Sequence, residues 1–456
     1  MRRKKIRLPE AVRKICVCGR KTSLEAAGQT GAEEAAPAKT GAAEGTETAE
    51  KKTAEGKTAE KGAAEHEAGK AAEVSAVPLL DELVRRACES QASDIHIEPF
   101  EDHAGIRMRL DGALVKIDTL QRSAYLPLIA RLKILCEMDI AEHRIPQDGH
   151  FRRMVEGEAV NMRVSILPTV FGEKAVIRLL SGNGAIDYAE SFGMRPEDSE
   201  KLRRMLRSPS GMIYLTGPTG SGKTTTLYLI LAELADGTVN ISTIEDPVEK
   251  NLPDINQCQV NPQAGMTFEK GLRAILRQDP DIIMVGETRD KETAVISARA
   301  AITGHLVLST LHTNDAVSAV VRLEDMGLEP YMAASALNGV VAQRLVRKLC
   351  PECAQTVPAT EADQKFLGRK LEKIRVPGGC PACSGTGYRG RTAIHEILVV
   401  DKTIRRMIAD RADLEEIREY ARREQGMRTL RECGSELAAE GITSMEELKK
   451  AAYYEE

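Results

Sequence analysis

The stretch Gly217-Pro-Thr-Gly-Ser-Gly222-Lys223-Thr224 satisfies G-x-x-x-x-G-K-[ST] and reads as a complete phosphate-binding loop. Glycines let the backbone fold into a nest of N–H donors, the lysine reaches the β- and γ-phosphates, and the Thr224 hydroxyl is placed to hold Mg2+. The flanks agree. Met212 to Thr216 reads as a short buried strand and Thr225 to Ala235 as a helix. A loop joining strand to helix in this way faces the positive helix end toward phosphate. The candidate nucleotide-binding residues are Gly217, Pro218, Thr219, Gly220, Ser221, Gly222, Lys223, Thr224 and Thr225, with ATP and Mg2+ as the ligands they imply.

Working outward, short apolar strands alternate with helical stretches between Phe192 and about Val400. Ile241 to Ile244, Ile282 to Val285 and Leu306 to Ser309 follow the loop strand, which is the pattern of a parallel α/β sheet with helices on its faces. Chemistry belongs at the carboxyl ends of such strands. The first delivers Glu245-Asp246-Pro247-Val248-Glu249, the second Gly286-Glu287 and the third His312. Converging on a γ-phosphate, carboxylates would position Mg2+ and polarise water, and an imidazole would sense or stabilise phosphate. On the residues alone, Glu245 and Glu249 stand equal. His305 and His312 are expected on opposite strand faces, so only one can face the phosphate; the His312 end is the better choice.

Ahead of the sheet, Val77 to Glu89 places Leu80, Leu83, Val84 and Ala87 on one helical face. Asp94 to Glu98 and Ile106 to Leu110 alternate as half-buried strands, and Asp111-Gly112 supplies a hairpin turn. Tyr125 to Met138 reads as a second helix and Val160 to Leu167 as another strand, giving an α+β domain over 74–190 that ends near Ser181-Gly-Asn-Gly. Phosphoryl transfer also benefits from a cation supplied by a neighbouring domain or subunit. Arg144, Arg163 and Arg178 are the candidates in this domain.

Residues 1–73 are an expected low-complexity, disordered tail, being nearly all Ala, Glu, Lys, Gly and Thr from about Leu24. Residues 401–456 read as mostly helical, with turns at Gly426, Gly434 and Gly441. A net charge of -4 implies no nucleic-acid partner, and 3% aromatic residues argue against single-strand stacking platforms. No apolar run approaches the roughly 18 residues needed to span a bilayer, and Leu8-Pro-Glu interrupts any signal segment, so a soluble cytoplasmic chain is expected.

Of ten cysteines, four form the pairs Cys350-Pro-Glu-Cys353 and Cys380-Pro-Ala-Cys383. Two C-x-x-C knuckles supply four thiolates for a tetrahedral Zn2+ with no open position, hence a structural site at 350–383. Cys16-Val-Cys18 has no second pair beside it and reads as incidental.

Taken together, Ala92-Ser-Asp-Ile-His-Ile-Glu-Pro99, Arg109-Leu-Asp-Gly112, Arg144-Ile-Pro-Gln-Asp-Gly149, the phosphate loop, Ile244-Glu-Asp-Pro-Val-Glu249, Asp281 to Asp290, Thr303 to Asn314, the cysteine tetrad and Gly426-Met-Arg-Thr-Leu430 resemble one family, the type II secretion and type IV pilus assembly ATPases. The resemblance runs from Val74 to near the C-terminus. It implies a RecA-like P-loop NTPase domain over 191–400, preceded by a smaller α+β, PAS-like domain, with a zinc-knuckle insertion and a helical C-terminus over 401–456. It also implies a homo-hexamer that hydrolyses ATP, works through an inner-membrane platform protein, and meets the membrane peripherally through partners. By the same resemblance Glu249 is the catalytic glutamate, Glu287 the second-motif carboxylate, His312 the phosphate-sensing histidine, and arginines of the preceding domain the fingers. Members of the assembly and secretion branch usually carry a further folded N-terminal domain where this sequence has its low-complexity tail. The other readings are a nucleotide-gated docking subunit with little turnover, a retraction or DNA-uptake motor, and a nucleic-acid motor, which the absence of a basic stripe disfavours.

Overall fold

The computed structural model describes residues 76–180 and 193–452. The expected tail over 1–73, the Cys16-Val-Cys18 pair and the domain end at Ser181 lie outside them.

Two sheets organise the chain. The first has six antiparallel strands in the order β3-β2-β1-β6-β5-β4. These are β1 (Asp94–Pro99), β2 (His103–Leu110), β3 (Ala113–Gln121), β4 (Gln147–Val155), β5 (Glu158–Thr169) and β6 (Gly172–Leu180). Side chains alternate across a strand, so one face is apolar: Ile95, Ile97, Ile106, Met108, Val164, Ile166 and Ile177 are buried under α1 (Ala76–Glu89) and α2 (Arg122–Leu135). Helix α1 buries Leu80, Leu83, Val84 and Ala87, the face its sequence spacing predicts. The hairpin turn is as expected, Asp111 and Gly112 both taking positive φ (46° and 86°). The opposite face is charged, with Asp94 paired to Arg178 at 2.9 Å and Glu98 to Arg107 at 2.6 Å and Lys174 at 2.8 Å.

The second sheet has seven strands in the order β15-β12-β7-β11-β10-β8-β9. The strands are β7 (Gly211–Thr216), β8 (Ile241–Glu245), β9 (Asn256–Gln259), β10 (Ile282–Val285), β11 (Leu306–Leu311), β12 (Leu337–Leu349) and β15 (Tyr388–Val399). Six run parallel and the edge strand β15 is antiparallel to β12. The sequence announced a parallel sheet; the added edge strand makes it mixed. Its middle strands are buried throughout because both faces are covered. Ile213, Leu215, Met284 and Leu308 pack with α3 (Pro196–Leu206) and α4 (Lys223–Leu234). Met212, Tyr214, Ile283, Val285 and Val307 pack on the other side with α5 (Phe268–Ile275), α6 (Lys291–Ile302), α7 (Ser318–Asp325) and α8 (Pro330–Ala336).

Beyond β12, a two-stranded sheet of β13 (Gln355–Pro358) and β14 (Lys373–Val376) brackets α9 (Glu361–Leu367). The C-terminal region is helical as expected: α10 (Lys402–Ala409), α11 (Leu414–Gln425), α12 (Leu430–Ala439) and α13 (Met445–Ala451). Gly426 and Gly441 take positive φ at helix ends, whereas Gly434, expected as a turn, lies inside α12. The reason is packing. A Cβ there would fall 2.2 Å from Leu448 Cδ1, so glycine lets α12 and α13 meet closely, and that contact overrides its weak helix propensity. Leu367, Ile374, Ala438 and Leu448 then form a small core joining the cysteine-bearing segment to these helices.

Candidate active site

The phosphate loop leaves the carboxyl end of β7, the strand between β12 and β11. Pro218, Thr219 and Gly220 crown it and are exposed, while Ser221 is buried. Helix α4 begins at Lys223, two residues earlier than the sequence implied, so Lys223, Thr224 and Thr225 form its first turn. Gly217 has φ +147°, and a Cβ on it would lie 2.5 Å from Gln343 O and 2.7 Å from Ser221 Oγ. Only glycine lets the loop approach β12 this closely.

Lys223 Nζ donates to Gly217 O at 2.7 Å and Pro218 O at 3.1 Å, which places the ammonium over the rim of the loop. Burial pushes its pKa down to about 8; Glu287 pulls it upward and Arg344 adds to the fall.

Glu287, Lys223 and His312 come together. Glu287 follows β10 and accepts from Arg289 Nη2 at 2.7 Å, with His312 Nε2 at 3.0 Å. Burial raises its pKa, but the Arg289 hydrogen bond and charge, aided by His312 and Lys223, outweigh it and hold the carboxyl below its usual value. Its backbone is braced on both sides: Gly286 N donates to Ile244 O at 2.8 Å, Thr288 N to Thr310 O at 3.1 Å, and Thr310 Oγ1 to Gly286 O at 2.8 Å. His312 lies just past the carboxyl end of β11 and is exposed. His305 precedes that strand, and its Nδ1 pairs with Ala300 O at 2.9 Å. The two histidines therefore flank the two ends of β11, about 20 Å apart by strand length; neither belongs to the strand, so the alternation expected of them does not apply.

Glu245 and Glu249 have different surroundings. Glu245 is 3% exposed and its oxygens are engaged by Tyr228 Oη, by Thr243 Oγ1 at 2.5 Å and by Gln257 Nε2 at 3.1 Å. Glu249 keeps an exposed side chain, with no hydrogen bond to its carboxylate among the described residues. Partial desolvation, then the negative charge of Glu245, raises its pKa, while Arg178 opposes the rise. Of the two, only Glu249 is available to a reacting molecule.

The three arginines are placed differently. Arg178 on β6 pairs with Asp94 and is near enough to Glu249 to act on it electrostatically. Arg163 lies directly across from it on β5 and is exposed. Arg144 is 87% exposed in the loop before β4 and pairs with Glu142 at 2.7 Å.

Sequence reasoning missed the contribution of β12. Gln343 donates from Nε2 to Ser221 O at 2.8 Å and accepts from Thr226 Oγ1 at 2.9 Å, clamping the loop to the sheet. Arg344 donates to Asn314 O at 2.7 Å and tunes Lys223. Thr313, beside His312, is tied to the loop strand through Thr216 Oγ1 at 2.7 Å. Tyr228 and Arg289 also escaped notice; the only signal for them was proximity in sequence to the motifs.

The four cysteines gather at the far end of β12 and β15, their sulfurs all within 4.8 Å of one another. Neighbouring pairs are 3.7–3.9 Å apart. A tetrahedron with metal–sulfur bonds of about 2.3 Å has edges of about 3.8 Å, so the set fits zinc. Gly379 N donates to Cys353 Sγ at 3.2 Å, and Cys380 N and Gly387 N to Cys383 Sγ at 3.3 and 3.2 Å, the outer hydrogen bonds that thiolates require. For Mg2+, Thr224 at the start of α4 and Glu287, whose charge acts on the neighbouring Lys223, offer hard oxygen donors, which suits that ion.

A phosphate loop on an interior strand of a mixed sheet, with an imidazole arriving from the adjacent strand and carboxylates from the two strands beyond it, defines a RecA-like P-loop NTPase. The family described as Type II/IV secretion system protein matches residues 70–450, and the chain belongs to it. Among curated relatives, the type II secretion system protein HxcR of Pseudomonas aeruginosa is 49% identical over 372 residues, 82% of this chain and 76% of that one. The type II secretion system ATPase E of Vibrio cholerae is 45% identical, covering 82% and 75%. The type IV pilus assembly ATPase PilB of Thermus thermophilus is 48% identical over 82% of this chain but only 43% of its own length. Among solved structures, the pilus retraction motor PilT with bound ADP is 25% identical with a TM-score of 0.57, covering 82% of this chain and 96% of that one. The Legionella pneumophila ATPase DotB, at 22% identity and a TM-score of 0.62 over 85% and 98%, shares the fold. The chain is an ATP-hydrolysing enzyme of this family. Among the described residues no helix is long and apolar enough to cross a membrane.

Proposed function

We propose that this chain is the hexameric motor that couples ATP hydrolysis to assembly of a type IV pilus or a type II secretion pseudopilus, working in the cytoplasm on an inner-membrane platform protein. One observation carries the reading: Glu287, His312 and Lys223 meet beside the phosphate loop while Glu249 remains free to act. The loop amides and Lys223 bind the phosphates of ATP. Thr224 and Glu287 would hold Mg2+, which supplies charge neutralisation on the phosphoryl oxygens. Glu249 accepts a proton from the attacking water, its raised pKa suiting a base, and His312 reports the γ-phosphate to Glu287. Arg178 and Arg163, side by side on adjacent strands, are the cations offered by the preceding domain, with Arg144 the outlying third.

ATP turnover by the purified chain beside Glu249→Gln tests the chemistry. Loss of about 10²-fold or more in kcat with retained nucleotide binding is expected. A wild type no faster than the variant rejects the motor in favour of a nucleotide-gated docking subunit. In the producing cell, deletion is expected to abolish pili or secretion; excess pili would assign a retraction motor instead.

A further inference from the structure

We infer that Tyr228 is a positioning residue for hydrolysis, its hydroxyl tying the peptide that carries Glu249 to the helix that follows the phosphate loop. The inference rests on Glu249 being the base. Tyr228 lies on α4, a little over one turn beyond Lys223, with its ring buried. Its oxygen has two duties at once. It donates its proton to Glu245 and accepts the backbone N–H of Glu249 at 3.1 Å. Burial and the Glu245 carboxylate both push the phenol pKa upward, so the proton stays on the oxygen and the donation to Glu245 persists.

Glu245 is in turn immobilised by Thr243 Oγ1 and Gln257 Nε2. That same Gln257 donates to Lys250 O at 3.0 Å and accepts from Leu252 N at 2.7 Å. The peptide at Glu249 is therefore held from both sides, by Tyr228 on the nitrogen and by Gln257 just beyond. Gln257 belongs to β9, which pairs with β8, so its grip references Glu249 to the sheet. Among the described residues it is Tyr228 that references Glu249 to α4, the element whose first turn holds Lys223 and Thr224. With phosphate gripped by the start of that helix and the base suspended from its next turn, one hydroxyl fixes their separation. Near-attack geometry demands such a fixed separation, and an error of about 1 Å can cost on the order of 100-fold in rate. The buried network around Glu245 is what makes the hydroxyl rigid enough for this task.

Tyr228→Phe removes one oxygen and keeps the ring. In the full chain, kcat is expected to fall about tenfold while KM and the dissociation constant of a fluorescent ATP analogue stay within about twofold. Amide hydrogen exchange is expected to rise in the segment 246–252 and to remain unchanged over 223–234. A kcat within twofold of wild type, or a KM that rises in step with a fall in kcat, overturns the inference; the first result leaves the ATPase reading intact so long as Glu249→Gln is inactive. Should Tyr228→Phe fail to fold, Glu245→Gln decides, since it retains the acceptor for the tyrosine proton and both peptide contacts. It is expected to lower kcat less than tenfold, whereas inactivity equal to that of Glu249→Gln would make Glu245 the base and overturn the inference.

Discussion

Lys223 meets three opposing influences in one side chain. It must be charged to hold phosphate, yet burial favours its neutral form and Arg344 repels its charge, and Glu287 restores only part of the loss, leaving a pKa near 8. A triphosphate bound beside it favours the ammonium and must raise that pKa. Below pH 7 the lysine is protonated with or without nucleotide, so binding involves no proton there. Between about pH 8 and the higher pKa of the complex, binding draws a proton onto Lys223, and affinity falls as pH rises by up to about tenfold per unit. Calorimetry at pH 8.5 in buffers of differing ionisation enthalpy should therefore show net proton uptake with wild type and none with Lys223→Met. Identical apparent enthalpies in all buffers for the wild type would mean that the lysine is already fully charged in the free protein. Glu249 and Glu245 show the same principle among carboxylates: the one satisfied by Tyr228, Thr243 and Gln257 is a structural anchor, and the one left without hydrogen bonds is available for chemistry. The sequence could not separate them, because what separates them is contributed by residues from a different helix and a different strand.

Among the elements, β12 holds most of what was not legible. Strands β7, β8, β10 and β11 were readable because each, covered on both faces, is a short run of mostly apolar and hydroxyl residues with no charge before its last position. Strand β12 interleaves Gln343, Arg344, Arg347 and Lys348 with Val340, Val341, Ala342 and Val346, which breaks the run, and β15 does the same with Arg391, His395 and Glu396. Those polar groups are tolerated because their partners come from elsewhere: Ser221 O for Gln343, Asn314 O for Arg344 and Glu447 for Arg347. The polarity that hid the strand is what allows it to serve the site. Gln343 carries a specific expectation. Truncation to Ala deletes the amide that bridges Ser221 O and Thr226 Oγ1, leaving two buried polar atoms unmatched, at a cost of about 1–3 kcal/mol. Because the lost bonds lie inside the loop that binds nucleotide, ADP affinity should fall roughly tenfold, and bound ADP should restore much of the lost melting temperature. A variant with wild-type ADP affinity and a lowered melting temperature would show that the clamp supports the sheet alone.

At the scale of the whole molecule, β12 and β15 run side by side from the phosphate loop to the cysteine cluster, and the two ends of that ribbon serve different purposes. Cys350 directly follows β12, and Cys380 and Cys383 lie in the turn a few residues before β15, so a metal shared by the four thiolates closes the segment 351–379 into a loop and pins the ribbon at its outer end. The pinned segment then packs through Leu367 and Ile374 onto Ala438, Met445 and Leu448 of the C-terminal helices. Arg347 reaches Glu447 at 2.5 Å and stacks over Tyr388 at 3.9 Å, adding a second tie between the ribbon and α13. At the same outer end of the ribbon, Asp111 from the hairpin of the first sheet accepts from Gly390 N at 2.8 Å and lies 3.6 Å from Arg391. The cluster is therefore placed to stabilise the C-terminal lobe and to keep in register a strand pair that touches both the nucleotide loop and the preceding domain. About one zinc per chain is expected by elemental mass spectrometry of protein purified without chelator. Cys383→Ser removes the sulfur that accepts two amide donors, and should lose the metal and several degrees of melting temperature. Its effect on ADP affinity should be smaller than that of Gln343→Ala, because Cys350 lies seven residues, roughly 20 Å of strand, beyond the Gln343 that holds the loop. A chain free of zinc, with a Cys383→Ser variant as stable as wild type, would leave the lobe held by its small apolar core and the Arg347–Glu447 pair alone. A variant that instead lost ADP binding outright would show that the ribbon transmits strain along its whole length rather than anchoring each end separately.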